Sequence, residues 1–371
     1  MRVFVTGATG FVGSAVVSEL IDAGHQVLGL ARSEAGAKSV AAAGAEVHRG
    51  DLHDLKSLRS GAEVADGVIH TAFIHDFSNY GPAAEADERA IETLGAVLAG
   101  SDRPLIVTSG TLVVAPGGVA TEDDAASPNF PRKSEEAALA AASRGVRASV
   151  IRLAPSVHGK GDNGFVPRLI GLAREKGVAA YVGDGLNRWP GVHRLDIARL
   201  YRLALEKGSA GARYHGIADE GVSAREIAEV IGRRLNVPVV SKSHEEIADH
   251  FGWIGQFFAM DNPASSQRTQ ESLGWKPQQL GLIEISTAQA ISLRSAFQLR
   301  CDRLRRRTRQ QEAVYQFGEA AYRHTVTTSR RACRAPWATY SQSLLPVAVR
   351  APTKFGSAAA LQATSARSQR R

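Results

Sequence analysis

Thr6-Gly7-Ala8-Thr9-Gly10-Phe11-Val12-Gly13 is the stretch on which the reading of this chain turns. An apolar run, Val3 to Thr6, precedes it, and after it Val12, Val16, Val17, Leu20 and Ile21 recur at helical spacing. Each glycine stands where a side chain would interfere. Gly7 admits a tight turn, Gly10 lets the backbone approach an anion, and Gly13 lets the helix pack close to the strand. The helix start then offers free N–H groups and a positive dipole end to a diphosphate. With a strand before it, a helix after it and a second strand behind that, the segment reads as a dinucleotide-binding turn. Cofactor contacts are assigned to Gly7, Thr9, Gly10, Phe11, Val12 and Gly13.

Outward from the turn, short apolar runs at 3–6, 25–30, 46–49, 67–72, 104–109 and 148–153 alternate with helix-like segments at 11–23, 35–43, 54–60, 83–99 and 133–143. Strands and helices in alternation predict an α/β fold, a Rossmann-type doubly wound parallel sheet, over residues 1–155. From 156 to 287 the alternation weakens. Amphipathic helices at 195–208 and 223–235, with a strand-like run at 214–218 between them, predict a small substrate-binding cap, while the core sheet also receives later segments.

The 371 residues, 44% hydrophobic and 22% charged with 36 glycines, exclude a wholly disordered, collagenous or disulfide-scaffold chain. No apolar run reaches the roughly 18 residues of a membrane span, and MRVFVTGATG does not read as a secretory signal, so the cytoplasm is the expected location. The net charge of +8 is unevenly placed: residues 291–371 hold sixteen Lys+Arg against Asp302, Glu312 and Glu319, a net of +13, which leaves −5 for the rest. Residues 288–371 read as a disordered Arg-rich extension, either an arm drawn to nucleic acid or a stretch outside the native reading frame. Otherwise nucleic acid is not expected as a partner. Both cysteines, Cys301 and Cys333, lie in this extension, so thiol or zinc-cysteine chemistry is excluded from the main body, and no metal is expected.

At the end of the second strand, Gly29-Leu30-Ala31-Arg32-Ser33 carries no carboxylate to bind a ribose 2′-hydroxyl. Arg32 and Ser33 are instead placed to meet a 2′-phosphate, so NADP(H) is preferred and NAD(H) is second. Asp51 and Leu52 are placed to meet the adenine. Thr71, Ala72 and Phe73 follow the fourth strand beside the ribose, and alternation turns His70 away from the crevice if Thr71 faces it.

Together TGATGFVG (6–13), Asp51-Leu52, His70-Thr71-Ala72, TSG (108–110), IRLAPSVHG (151–159), VHRLDIARL (192–200) and LGWKP (273–277) resemble the extended branch of the short-chain dehydrogenase/reductase superfamily, the NAD-dependent epimerase/dehydratase family. The resemblance covers residues 1 to about 287 and implies a nicotinamide cofactor, a C-terminal substrate domain and frequently a homodimer built on two helices per subunit. It also implies a Tyr and a Lys four residues later, whose ammonium lowers the phenol pKa. Here that helix begins Asn129-Phe130-Pro131-Arg132-Lys133-Ser134-Glu135, with Phe130 or Pro131 where the Tyr is expected and Ser134 or Glu135 where the Lys is expected, so the pair is missing and the chain resembles an atypical member.

Substitutes are sought nearby. Ser109 and Thr111 are placed to bond a substrate oxygen, or they shape a turn; Ser109 is also a cofactor contact. Lys133 is the candidate for the missing charge or a solvent-exposed lysine, and Tyr80 reaches the crevice from a loop or lies on the surface. The resemblance sets Pro155 and Val157 against the carboxamide. His158 is the titratable candidate at the reacting end, or a loop histidine with a structural bond. Arg188, Trp189 and His193 are the substrate contacts, as anion ligand, apolar cover and polar neighbour. Asp196 reads as a structural helix-start carboxylate or a substrate ligand. Two functions follow: an NADP(H)-dependent oxidoreductase acting on a small carbonyl or alcohol compound, or a catalytically silent dinucleotide sensor.

Overall fold

The computed structural model describes residues 1–75, 80–114 and 117–284; the extension at 288–371 lies outside the described residues. Seven strands, all parallel, form the main sheet in the spatial order β10-β6-β5-β4-β1-β2-β3. They are β1 (Arg2–Thr6), β2 (Gln26–Ala31), β3 (Glu46–Arg49), β4 (Gly67–His70), β5 (Pro104–Gly110), β6 (Arg147–Leu153) and β10 (Arg213–Gly216). The strands are joined through α1 (Phe11–Asp22), α2 (Glu34–Ala42), α3 (Leu55–Glu63), α4 (Tyr80–Leu98) and α5 (Ser134–Ala142).

Alternation along each strand feeds two cores. On β1, Val3 and Val5 face α1, α2 and α7 (Arg194–Lys207), while Phe4 faces α3, α4 and α5. The order reverses between β1 and β4, and at such a switch point the carboxyl ends of the strands are where open α/β sheets place their ligands.

The strand-like run at 214–218, read within the cap region, is a later segment that joins the core sheet: it supplies β10, the seventh strand. The helix expected in the cap at 195–208 is α7, which packs on α1 beneath the same sheet. The remaining elements build the cap: β7 (Ser156–His158), α6 (Phe165–Lys176), β8 (Ala179–Val182), β9 (Arg188–His193), β11 (Asp219–Ser223), α8 (Ala224–Leu235), β12 (Val239–Lys242), α9 (Ile247–Phe251) and α10 (Ile254–Phe258). They enclose a third apolar core and carry two small sheets, β11-β9-β7 and β12-β8. After them α11 (Gln267–Leu273) leads to Trp275, whose Nε1 donates to Asp196 O (2.9 Å) and ties the segment to α7. No helix among the described residues is long and apolar enough to cross a membrane.

Candidate active site

Backbone geometry at the glycine turn matches what a diphosphate needs. Gly7 has φ +69°, and a Cβ there would stand 2.7 Å from Ala72 N. A Cβ on Gly13 would stand 2.0 Å from Gly7 O, so α1 leans directly on the turn. Gly10 caps α1 with no side-chain bond, and Ser14 N is the first amide in the turn of helix to find a carbonyl, Gly10 O (2.9 Å). The residues present fit a dinucleotide: an exposed Thr9 and Gly10 precede helix-start amides that no side chain caps.

Among the residues expected to meet the adenosine half, Arg32 is exposed and no carboxylate ends β2. Ser33 caps α2 and accepts from Gly36 N (3.1 Å). Asp51 accepts from His53 N (2.9 Å), and Leu52 is buried.

Beneath the turn lies a buried polar chain. Thr71 Oγ1 donates to Thr6 O (2.7 Å), which pins Thr71 under the glycine turn. Thr6 Oγ1 is bonded to His70 Nδ1 (2.9 Å), and His70 Nε2 to Asp87 Oδ1 (3.2 Å). A carboxylate only accepts, so Nε2 is the donor to Asp87, and in the neutral tautomer Nδ1 accepts from the Thr6 hydroxyl. Asp87 also accepts from Ser134 Oγ and from Arg132 Nε (3.4 Å). Burial pushes Asp87 up, but Arg132, His70 and Ser134 outweigh it and hold the carboxyl below its ordinary range.

Arg132 also donates to Thr108 O (2.7 Å), and its guanidinium lies 4.2 Å from the Phe73 ring centre. Tyr80 joins this group, its ring 5.8 Å from Phe73 and 6.2 Å from Phe130. It is the first residue of α4, not part of a loop. Burial raises the Tyr80 phenol pKa, with Arg132 opposing and Asp87 adding to the rise.

On the cap side, His158 ends β7 at 1% exposure, with neither ring nitrogen hydrogen-bonded among the described residues. The structural bond weighed for it in the sequence is not made. Its ring lies 5.6 Å from that of His193, and burial, aided by His193, lowers its pKa to about 4. Pro155 and the half-buried Val157 lead into it.

Between pH 6.5 and about 4 the unfolded chain therefore binds a proton at His158 that the folded chain refuses, so stability falls as pH drops through that window. Asp162, raised by burial to about 6, works the other way, losing stability as pH rises from 3.8 to 6. We expect the unfolding free energy of wild type relative to His158→Phe to fall by about 2–3 kcal/mol from pH 7 to pH 4.5. Urea melts at the two pH values check this, and a pH-independent difference would mean that the imidazole is solvated.

Several expected substrate contacts are spoken for. Arg188 pairs bidentately with Asp261, Nε to Oδ1 (3.1 Å) and a terminal nitrogen to Oδ2 (2.8 Å), which neutralises the expected anion ligand. Trp189 is 0% exposed in the cap core between Phe165 and Phe258, not a cover over the crevice. His193 caps α7, accepting from Leu195 N (3.3 Å). Asp196 is structural: its oxygens accept from Gln278 N (2.9 Å) and Gln279 N (3.0 Å). No cluster of three or more His, Cys, Asp or Glu able to hold a metal occurs among the described residues.

A family model described as the NAD dependent epimerase/dehydratase family matches residues 3–217. The chain belongs to this family. An uncharacterized protein of Schizosaccharomyces pombe is 53% identical over 280 residues, 75% of this chain and 95% of that one. A sterol-4-alpha-carboxylate 3-dehydrogenase (decarboxylating) of Dictyostelium discoideum is 30% identical over 243 residues, 60% of this chain and 73% of that one. Among solved structures, a dTDP-glucose 4,6-dehydratase from Streptomyces venezuelae with NAD bound superposes with a TM-score of 0.65 at 21% identity, covering 80% of this chain and 97% of that one; this similarity speaks for the fold.

Within this epimerase/dehydratase member, the substitutes sought for the missing Tyr/Lys pair are occupied. Thr111 Oγ1 donates to Asn262 Oδ1 (2.7 Å), and Asn262 Nδ2 donates back to Thr111 O (3.1 Å), so the hydroxyl is buried and turned to the partner loop. Lys133 Nζ donates to Pro128 O (2.9 Å) and Glu136 Oε1 (3.0 Å). Ser109 is buried at the end of β5. Sequence reasoning gave no role to Arg132 or Asp87. The available signal was a cation beside the empty Lys position, and only the fold shows which carboxylate meets it.

Proposed function

We propose that this chain is an NADP(H)-dependent oxidoreductase acting on a small, uncharged carbonyl or alcohol compound in the crevice between sheet and cap. The observation that carries the proposal is the grouping of Tyr80, Phe73 and Arg132 at the carboxyl end of β4, beside Phe130, one of the two residues that stand where the phenol is expected. A bound nicotinamide supplies or accepts the hydride. Tyr80, its pKa raised, keeps its phenol proton at neutral pH and gives it to the substrate oxygen in the reducing direction. Arg132 opposes that rise and so stabilises the phenolate left behind.

An exposed Arg32 with no carboxylate ending β2 supports NADP(H) over NAD(H). Neutralisation of Arg188 by Asp261 supports an uncharged substrate. The silent-sensor reading draws on the engagement of Thr111 and Lys133.

The test is a panel of aldehydes, ketones and enones with NADPH, with NADPH and NADH titrated in parallel. We expect turnover by wild type, tighter binding of NADPH, and a fall of about a hundredfold or more in Tyr80→Phe with NADPH binding unchanged. Tight binding with no turnover across the panel would establish the sensor. Full activity in Tyr80→Phe would place the proton source elsewhere.

A further inference from the structure

Arg194, the first residue of α7, was given no role by the sequence motifs. Because α7 packs on α1 and its first residue stands over the first residue of α1, the two helix starts meet at one edge of the sheet. There the Arg194 guanidinium lies 5.0 Å from the Phe11 ring centre. Phe11 is the residue that follows Gly10, at the uncapped end of α1. The side chain is held from the other side by the cap loop. A terminal nitrogen donates to Lys160 O (3.2 Å), and Gly159, at φ +142°, lies so close that a Cβ there would stand 3.0 Å from Arg194 Cγ. Among the described residues Arg194 has no ion pair with a carboxylate, unlike Arg188, Arg152 and Arg202.

A second observation marks the same corner as a ligand seat. His158 immediately precedes Gly159, is almost fully buried, and has both ring nitrogens unbonded beside His193. A buried imidazole without partners is costly, and a ligand able to hydrogen-bond removes that cost. The corner thus combines helix-start amides and a guanidinium with donors to spare, a set suited to an anion with several oxygens, and the unbonded imidazole stands next in sequence to the cap loop that holds the guanidinium.

We propose that Arg194 anchors the diphosphate of the dinucleotide from the cap side, opposite the glycine turn. This rests on the dinucleotide reading of that turn and does not depend on turnover. Stacking on Phe11 and the bond to Lys160 O pre-orient the guanidinium, so little rotamer freedom is lost when it takes the phosphate oxygens. Cofactor and cap loop are then joined through one side chain.

Calorimetric titration of Arg194→Gln with NADPH and with 2′-phospho-ADP-ribose is the test. Both ligands carry the diphosphate and only one carries the nicotinamide. We expect Kd to rise at least about tenfold for both, by a similar factor, with the melting temperature unchanged. Arg194→Lys keeps the charge without the planar fork, so it should fall between the two and serves as the variant if Gln disturbs folding. Unchanged Kd values in a folded variant would overturn the assignment. So would a loss confined to NADPH, which would move Arg194 to the nicotinamide end. Failure of wild type to bind either ligand would instead overturn the dinucleotide site itself, and the anchor with it.

Discussion

Gly13→Ala is expected to abolish useful dinucleotide binding and to destabilise the fold, although alanine is the better helix former. The added methyl would stand 2.0 Å from Gly7 O and 2.8 Å from Gly7 C, both backbone atoms of the turn itself. Neither can swing aside as a side chain would, so α1 must back away from β1. Overpacking of this kind costs about 1–3 kcal/mol, against a helix-propensity gain of up to about 1 kcal/mol. The binding loss should be larger, because moving α1 withdraws the amides of Phe11, Val12 and Gly13 together. A rise in Kd on the order of a hundredfold corresponds to about 2.7 kcal/mol. Gly171→Ala is the matched control: it lies within α6 with nothing inside 4 Å of an added Cβ. It should leave binding intact and hold or raise the melting temperature. Equal NADPH affinity in Gly13→Ala and wild type would remove the close approach of helix and turn from the account of cofactor binding.

That close approach was legible in the sequence because it is local. Three glycines at fixed spacing, a strand before and an amphipathic helix after are read within twenty-odd residues, and β1 and α1 formed as expected. The strands at 46–49 and 104–109 and the helix at 133–143 were likewise visible from period and punctuation. What stayed hidden depends on partners far along the chain. Thr111 has a hydroxyl in the right place for catalysis, and only folding brings up Asn262 to occupy it. Arg188 is a plausible anion ligand until Asp261 is placed beside it. The strand at 214–218 has no intrinsic mark saying whether it pairs with cap or sheet, and β6 decides the matter by taking it as a neighbour. Tyr80 was displaced by a boundary: α4 begins three residues earlier than its apolar period suggests, which carries the phenol onto the helix and against Phe130.

The same limit hid the reason for the missing lysine, and a second large effect follows from it. Glu135, at one of the two positions where that lysine was sought, is buried, and both its oxygens are taken by Arg152 at 2.7 Å each. Arg152 is 0% exposed, and it also donates to Asp124 O (2.8 Å) and is bonded to His215 Nε2 (3.2 Å). A lysine at 135 would face this guanidinium in a region shielded from water, where like charges repel strongly.

Arg152→Met should cost about 3–5 kcal/mol, since it leaves a buried carboxylate without its main partner, together with a carbonyl and an imidazole. Glu135→Gln should cost less. It keeps an acceptor for the guanidinium, and Arg213 Nε, at 3.3 Å and partly exposed, has solvent as an alternative. The double variant should be less destabilised than the sum of the two single ones, because the second change removes the charge that the first strands. Chemical denaturation of the three variants measures this coupling. Strict additivity would show that the pair acts as two separate surface-like contacts, and the explanation of the lost lysine by charge would go with it.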